Sequence, residues 1–261
     1  MTARVFDAEA ETFDARAGLP QGAVEAVAAA VASFLPGGRA GALLDLGAGT
    51  GGIGERLSER CPTYVGLDVS RPMLDVFSRR IPGGRRTRPL LVEADAARHW
   101  PLRERSFDVV FSSRAFHRLP LGHAVGEALR ACAPGGAFLL GGIRRDPGSA
   151  RGALRRRLHE EMRKRGLSPR DAEADARRAL DAAVRRGGRL LESITVARWR
   201  SPRSADETLE LWRSRSSLAG VELPRAARAK ILGELEPWLA ARDGRTHGGE
   251  ECYVLQGALV P

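Results

Sequence analysis

Three aspartates occupy similar places in the first half of the chain, within or just after short apolar runs. Asp45 lies in ALLDL (42–46), Asp68 ends YVGLD (64–68) and Asp95 ends PLLVEAD (89–95). A glycine-rich segment, GAGTGG (47–52), follows the first run directly. Glycines at a strand-to-helix turn let the backbone approach a ligand closely, because no Cβ intervenes. This pattern predicts a small-molecule binding site, with a tight structural turn as the alternative.

The acid ahead of the glycines indicates which ligand they hold. Gly47, Gly49 and Gly52 satisfy G-x-G-x-x-G, a pattern usually associated with dinucleotides. A dinucleotide brings a pyrophosphate, which Asp45 would repel. A carboxylate at this place suits a ligand with a cationic head, such as an α-ammonium group beside a sulfonium. S-adenosylmethionine is such a ligand.

The other two aspartates fit the remaining parts of that ligand. Asp68 can accept hydrogen bonds from both ribose hydroxyls, and a helix N-terminal acid is the alternative. Asp95 can accept from the exocyclic amine of adenine, while the backbone N–H of Ala96 serves a ring nitrogen. For Asp95 the alternative is an ordinary turn aspartate.

Methyl transfer from a sulfonium is an in-line displacement that needs alignment and a nucleophile with a free lone pair. An alcohol or phenol acceptor needs a base, whereas a carboxylate does not. His117, in SSRAFHRLP, follows the fourth apolar run and is the candidate base, with a positioning or surface histidine as the alternative. We expect the other four histidines, His99, His123, His159 and His247, to lie at the surface.

The elements that would position these residues follow from hydrophobic patterning. Short apolar runs alternate with helix-length segments between 42 and 142, which predicts a parallel sheet built from β-α-β units. A helical lead precedes them, and Ser70 is the expected N-cap of one of the helices. Further on we expect two helices in 148–188, a strand at 193–200, two helices in 203–241 broken near 220–224, and a closing strand at 251–260.

The formal net charge is +10, which raises the alternative of a nucleic-acid partner. However, 40 of the 42 basic residues (42 − 2 lysines) are arginines, as a GC-rich coding sequence would give. The basic runs at 85–88, 155–157 and 163–165 lack interleaved aromatics for base stacking. Three scattered cysteines, no metal-ligand motif, and an N-terminus without a signal peptide or anchor favour a cytoplasmic protein without a metal.

Taken in order, five motifs resemble the class I S-adenosylmethionine-dependent methyltransferases. They are DLGAGTG (45–51), GLDVSRPML (66–74), ADA (94–96), SFDVVFSS (106–113) and APGGAFLL (133–140). The closest likeness is to the small-molecule branch, which includes quinone-biosynthesis and trans-aconitate methyltransferases. FDARAGLP (13–20) resembles the N-terminal lid of that branch.

The resemblance implies an α/β fold, a Rossmann-like open seven-stranded sheet that is mostly parallel with an antiparallel last strand, plus helical cap insertions. It implies that Asp45, Gly47, Gly49 and Gly51 line the methionine portion of the cofactor. Asp68, with Val69 beside it, would hold the ribose, and Asp95 with Ala96 the adenine. Met73 would pack on the adenine face, with plain core as its alternative, and Ser112 would offer its backbone to the methionine end.

The sequence therefore predicts an enzyme that transfers a methyl group from S-adenosylmethionine to an oxygen or carbon of a small molecule. The alternatives are a basic RNA-binding relative and a non-catalytic cofactor-binding protein. We expect a monomer or homodimer without nucleic-acid or membrane partners. The expected organisation is a helical lid (1–41), a cofactor-binding core (42–147), a helical cap region with one core strand near 193–200 (148–250) and a closing strand (251–261).

Overall fold

A computed structural model describes residues 7–37, 41–82, 89–201 and 203–261 of the chain. The basic run at 85–88 lies outside these ranges. The chain forms two compact units. Unit 1 comprises Met1–Gly142, Ala172–Ala197 and Tyr253–Pro261, and unit 2 comprises Ile143–Asp171 and Arg198–Cys252.

The main sheet is built on β1 (Ala42–Leu46), β2 (Thr63–Asp68), β3 (Leu90–Glu93), β4 (Phe107–Ser113) and β5 (Cys132–Arg145). These pair in parallel in the order β3-β2-β1-β4-β5. The final strand β10 (Glu250–Leu259) follows β5 in the sheet and runs antiparallel to its other neighbour, β6 (Arg189–Leu190). The predicted fold class, an open, mostly parallel sheet with an antiparallel closing strand, is confirmed.

One strand position differs from the prediction. Where a single strand was expected near 193–200, both β6 and β7 (Ile194–Arg200) pair with β10, so the described sheet has eight strands instead of seven. The chain is irregular between them, although the Leu191 N–H still donates to the Gly257 carbonyl at 2.9 Å. The sixth strand position is therefore one interrupted strand.

Unit 1 also contains α-helices and short 3-10 helices. They are α1 (Phe13–Ala17), α2 (Gln21–Ala32), α3 (Gly54–Arg60), α4 (Arg71–Arg80), α5 (Leu121–Ala131) and α7 (Ala172–Val184), with 3-10 helices at Asp7–Thr12 and Phe116–Arg118. Helix α4 begins as predicted, because Ser70 Oγ accepts the Met73 N–H at 3.4 Å. Helix α3 begins only at Gly54, because Gly51 takes a positive φ that a helix does not allow.

The core of unit 1 joins the sheet to helices on one of its faces. Leu44, Val110 and Phe138 from the strands pack with Val125 of α5 and Leu180 of α7. Helix α7 was expected in the helical cap region at 148–250, yet its apolar face belongs to this core. The cap region as expected from sequence is therefore divided between the two units.

Unit 2 is a helical unit of α6 (Ala150–Lys164), α8 (Ala205–Arg213) and α9 (Arg225–Ala240). Its own core is formed by Leu158, Met162, Leu209, Trp212 and Leu235, among others. A small hairpin, β8 (Ser217–Leu218) and β9 (Val221–Glu222), fills the predicted break between the last two helices.

No helix in the described parts of the chain combines the length and apolar character needed to cross a membrane.

Candidate functional site

The predicted site residues meet at one edge of the sheet, where the parallel strands of unit 1 end. Register places Asp45 of β1 beside Gly66 of β2 and Phe111 of β4, and places Asp68 beside Glu93. Asp45, Asp68 and Ser112 therefore lie near the carboxyl ends of adjacent strands, and Asp95 follows two residues after β3. This edge is where open α/β sheets bind their ligands.

The loop after β1 depends on three glycines at 47, 49 and 51. All three have positive φ angles, of 76°, 56° and 79°. A Cβ at Gly47 would meet the Ala115 Cβ at 2.3 Å, and one at Gly51 would meet the Phe77 ring at 2.2 Å. At Gly49, by contrast, the nearest atom would be the Gly47 carbonyl oxygen at 3.9 Å. The absence of a side chain at Gly49 therefore leaves open space beside the backbone, an open cradle for a ligand. At Gly47 and Gly51 it instead allows Ala115 and Phe77 to pack closely against the loop.

Gly52, the third glycine of the dinucleotide-type pattern, differs from these. Its φ is not positive, and an added Cβ would come no closer than 3.5 Å to Asp14 Oδ1. The constrained pattern is thus G-x-G-x-G at 47–51, the spacing of the DLGAGTG motif. The structure gives Gly52 no comparable steric role.

Asp45 is a buried carboxyl group in a nearly dry environment. Its side chain accepts a hydrogen bond from the Tyr64 hydroxyl at 2.7 Å, and the residue is 4% exposed. Burial and, to a smaller extent, the charge of Asp68 raise the pKa of Asp45 to about 7, and the Tyr64 hydrogen bond opposes this shift. Such a carboxylate gains stability when a cation arrives beside it.

Asp68 connects the glycine loop to the start of α4. Its Oδ2 accepts the Gly49 N–H at 2.8 Å, and its Oδ1 accepts the Ser70 N–H at 2.9 Å. Burial raises its pKa, and backbone hydrogen bonds from Ser70, Gly49 and Val69 oppose that rise. Each carboxylate oxygen can accept a second bond, so Asp68 can hold the loop and still accept from two hydroxyls.

Asp95, Ala96 and Met73 lie at the same edge, with contacts that also suit their simpler alternatives. Asp95 Oδ1 accepts the Ala97 N–H at 2.9 Å, which is the turn expected of an ordinary aspartate. Its side chain is 40% exposed and so can meet a ligand. Met73 is buried and clusters with Ala10 and Val76, as a core residue would. The adenine-binding roles of these residues stay predictions.

Near the end of β4, Ser112 turns its side chain inward, where its hydroxyl donates to the Leu46 carbonyl at 2.8 Å. The backbone contact of Ser112 with the methionine end of the cofactor stays a prediction. His117 lies half-buried in the 3-10 helix Phe116–Arg118, four residues after β4 ends. Its position beyond the fourth strand agrees with the prediction, and its catalytic role stays a prediction.

The segment from Asp7 to Ala17 is tied across this edge by several contacts. Asp14 accepts the Thr50 hydroxyl at 2.8 Å and pairs with Arg80 of α4. Asp7 accepts the Ser70 hydroxyl at 2.6 Å. Ala17, at the end of the segment, accepts from the Arg114 guanidinium through its carbonyl. The segment is therefore attached to the glycine loop, to α4 and to the loop after β4.

Sequence reasoning missed several residues that support the site. Tyr64 holds Asp45, and the Tyr253 hydroxyl donates to Ser113 Oγ at 2.7 Å. Gly141 is needed beside Tyr253, because a Cβ there would meet its hydroxyl oxygen at 1.9 Å. Tyrosines within apolar strands give no local signal of such roles. The surface prediction for His159 is wrong, since it is 8% exposed within unit 2.

Comparisons with known proteins agree with this geometry. Residues 44–140 match the family described as methyltransferase domain. A malonyl-[acyl-carrier protein] O-methyltransferase from Marinomonas sp. (strain MWYL1) is 37% identical over 117 residues, which are 43% of this chain and 40% of that protein. This match and a second one, to another protein of the same name, each cover less than half the length of the relative.

Solved structures show the same fold at low identity. A candidate methyltransferase of Bacillus halodurans C-125 superposes with a TM-score of 0.60 at 18% identity, covering 90% of this chain and 98% of the other. Geranyl diphosphate C-methyltransferase from Streptomyces coelicolor A3(2), solved with Mg²⁺, geranyl diphosphate and S-adenosyl-L-homocysteine, gives 0.51 at 17%, covering 90% and 78%. The resemblance to methyltransferases predicted from the sequence is confirmed for the domain at residues 44–140, and the solved structures show the same fold.

Proposed function

We propose, from the methyltransferase domain at residues 44–140, that this chain transfers a methyl group from S-adenosylmethionine to an oxygen or carbon of a small-molecule acceptor. The observation that carries the proposal is the buried Asp45 carboxylate beside the open cradle at Gly49. An acid of this kind favours a cationic ligand and disfavours a pyrophosphate.

The residues at the edge fit the parts of this cofactor. Asp45 would hold the α-ammonium group, and the loop of Gly47, Gly49 and Gly51 would admit the methionine portion. Asp68 would accept from the ribose hydroxyls through its remaining lone pairs. Asp95 and Ala96 would bind the adenine edge. When bound, the cofactor supplies an electrophilic methyl group on a sulfonium.

The protein's own part in the reaction is to align the reactants, exclude water and, for some acceptors, move a proton. The segment at 7–17, fastened by Asp14 and Asp7, would shield the cofactor edge from solvent. A hydroxyl acceptor must lose its proton as the methyl arrives, and His117 would take it. A carboxylate acceptor needs no such base.

The acceptor atom is proposed to be an oxygen or a carbon. One relative is named for O-methylation of a malonyl group and one structural neighbour for C-methylation, so both acceptor atoms stay within the proposal.

We further propose a small-molecule acceptor in place of a nucleic acid, a cytoplasmic location, and a monomer or homodimer. Local pairing of the arginines supports the first point. Arg56 and Arg60 both pair with Glu25, at 2.9 and 2.7 Å, and Arg165 pairs with Glu161 at 2.9 Å. Charge neutralised in this way attracts phosphate backbones less than the net value suggests.

Titration calorimetry and product analysis together test the proposal. We expect S-adenosylmethionine and S-adenosylhomocysteine to bind and NAD to bind weakly or not at all. Turnover on a panel of small acids, phenols and alcohols should yield products heavier by one methylene, detected by mass spectrometry. NAD binding without a response to S-adenosylhomocysteine would refute the cofactor. Cofactor binding without turnover on any acceptor would favour the non-catalytic alternative, and steeply salt-dependent binding to tRNA or rRNA would favour the RNA-binding one.

A further inference from the structure

Helix α6 of unit 2 carries a row of cationic and imidazole side chains on one face. Arg151, Arg155 and His159 are spaced four residues apart, which places them on the same side of the helix. Arg151 lies in the first turn, where the helix dipole already disfavours a cation. Arg145, at the end of β5, adds a third positive charge to this group. These cations lie close together in sequence near the start of a helix, where they do not stabilise it.

A single buried acid neutralises part of this group. Glu251 is 8% exposed, and its Oε1 pairs with Arg145 Nε at 2.9 Å and with Arg151 Nη1 at 2.8 Å. Its Oε2 accepts from Trp199 Nε1 at 3.1 Å. This carboxylate is therefore committed to three donors. Arg151 Nε nevertheless stays buried without a hydrogen-bond partner among the described residues.

Arg155 is the residue that this arrangement leaves uncompensated. Across the described ranges of the chain, its guanidinium makes no hydrogen bond or ion pair, and the residue is half-buried, with its side-chain nitrogens still accessible to solvent. Burial, together with the charges of Arg145 and Arg151, lowers the pKa of Arg155 to about 10, and the exposed Asp171 opposes this shift. A guanidinium has five N–H donors, so this half-buried, solvent-accessible one can donate to a bound anion.

His159, one turn further along α6, lies near the same cationic side chains. Burial, together with the charges of Arg155 and Arg163, lowers its pKa to about 4, while the charge of Asp171 opposes this shift. The ring is therefore neutral at physiological pH. Its Nε2 is buried and has no partner within the described part of the chain. A neutral imidazole can donate one N–H to a ligand.

We propose that Arg155, with Arg151 Nε and His159 beside it, forms a binding site in unit 2 for an oxyanion group, a phosphate or a carboxylate, of a small molecule. The planar guanidinium suits bidentate binding of either group. An anion bound here would supply the acceptors that the described residues do not. The proposal depends on contacts within unit 2 alone and stands whether or not the methyl-transfer proposal does.

Thermal unfolding of the full chain tests the site with inorganic phosphate and with succinate, each against sodium chloride at matched ionic strength. We expect phosphate or succinate to raise the Tm of the wild-type chain by about 2–4 °C beyond chloride, as mass action on the folded state requires. Arg155→Met should abolish this rise. Arg156→Met is the matched control, because Arg156 is exposed, lies on the same helix and changes the charge equally. Arg156→Met should keep the increase in Tm. The anion that raises the Tm of the wild type more identifies whether the site prefers a phosphate or a carboxylate.

A second measurement separates a ligand-binding arginine from a structural one. In buffer without oxyanions, Arg155→Met should be at least as stable as the wild type, because it removes a half-buried cation that is repelled by Arg145 and Arg151 and replaces it at similar volume. An arginine that stabilises the fold would give a lower Tm in Arg155→Met than in both the wild type and Arg156→Met. That result would overturn the proposal, as would equal effects of chloride, phosphate and succinate on the wild type, or an oxyanion effect that Arg155→Met retains.

Discussion

At the scale of single residues, the buried carboxyl group of Asp45 lowers the stability of the folded chain without ligand at neutral pH. Its carboxyl group is buried, and its pKa is raised from an ordinary 3.8 to about 7. Between about pH 4 and 7 the folded chain keeps a proton that the unfolded chain has lost. The free energy of unfolding therefore falls as the pH rises through this window, by up to about 4 kcal/mol from this group. The ammonium group of a bound ligand would offset this loss.

Asp45→Asn should remove that dependence. We expect the variant without ligand to be more stable than the wild type at pH 8, and the difference to shrink towards pH 4. Affinity for S-adenosylhomocysteine should fall, because the negative charge is gone. Thermal unfolding between pH 4 and 8 and calorimetry at pH 8 measure both effects. In the wild type, binding of S-adenosylhomocysteine at pH 6 should also release about one proton from Asp45. Calorimetry detects this release because the heat of binding then depends on the ionisation enthalpy of the buffer. Parallel stability curves for the two proteins would refute the raised pKa.

Asp68 has a structural and a proposed ligand-binding role, and two substitutions separate them. Asp68→Ala removes the acceptor of the Gly49 and Ser70 N–H groups, so stability and cofactor affinity should each fall by about 1–3 kcal/mol. Asp68→Asn keeps one acceptor oxygen and should retain more of the stability while losing affinity. Thermal unfolding and calorimetry with S-adenosylhomocysteine check this. If affinity per folded molecule stays unchanged in both variants, Asp68 acts on the loop alone.

His117→Ala tests the proposed base. With a hydroxyl acceptor, kcat should fall by about 10²–10⁴ and cofactor affinity should hold, because only proton transfer is lost. The wild-type rate should rise with pH to a plateau, and this limb should vanish in the variant. His247→Ala, at an exposed position in unit 2, is the control and should behave as wild type. Equal pH–rate profiles for His117→Ala and wild type would shift the acceptor towards a carboxylate or carbon.

At the scale of elements, the 7–17 segment is the part whose role extends beyond its own fold. It has few buried side chains, and Ala10 with Phe13 makes a small cluster on Met73 and Val76 of α4. Its attachment therefore depends on polar contacts such as those of Asp14 and Asp7. Segments attached in this way open at low free-energy cost, as active-site lids must.

Asp14→Ala should loosen this segment. Losing the Thr50 hydrogen bond and the Arg80 ion pair removes about 1.5 kcal/mol, so the Kd for S-adenosylhomocysteine should rise about tenfold, mainly through faster dissociation. Glu11→Gln is the matched control, because Glu11 pairs with Arg79 at an exposed position of the same segment. Stopped-flow dissociation and calorimetry measure the effect. Equal dissociation rates in the two variants would show that Asp14 does not hold a lid.

Local signals in the sequence were enough for the parallel strands β1–β5, the glycine loop and the Ser70 cap. Each depends on residues within a few positions, such as Met73 and Ser70 or the glycines at 47–51. The β8–β9 hairpin was missed because its turn is Ala219-Gly220, with positive φ at both, and alanine is not a usual residue for that conformation. Tyr253 with Ser113 and Asp14 with Thr50 are 140 and 36 positions apart, so no local pattern indicates those pairs.

At the scale of the whole molecule, the two units divide the proposed functions. The proposed cofactor contacts lie in unit 1, and the proposed oxyanion site lies in unit 2. The segment 148–250, expected to be one cap region, contributes α7 to the core of unit 1 and its other helices to unit 2. We propose that the cap role belongs to the helices of unit 2 and that α7 has a supporting role in the core.

Hydrogen exchange with and without S-adenosylhomocysteine tests this division across the chain. We expect slower exchange at 7–17, 47–53 and 68–73, because the proposed contacts close over the cofactor there. Helices α6, α8 and α9 should also gain protection if they form a cap that closes on binding. Helix α7 is the internal control and should not change, since Ala179, Leu180 and Ala183 are already buried in the core. Unchanged exchange in 7–17 and in the unit 2 helices would reject the lid and cap roles, while a change in α7 alone would place the moving part within unit 1.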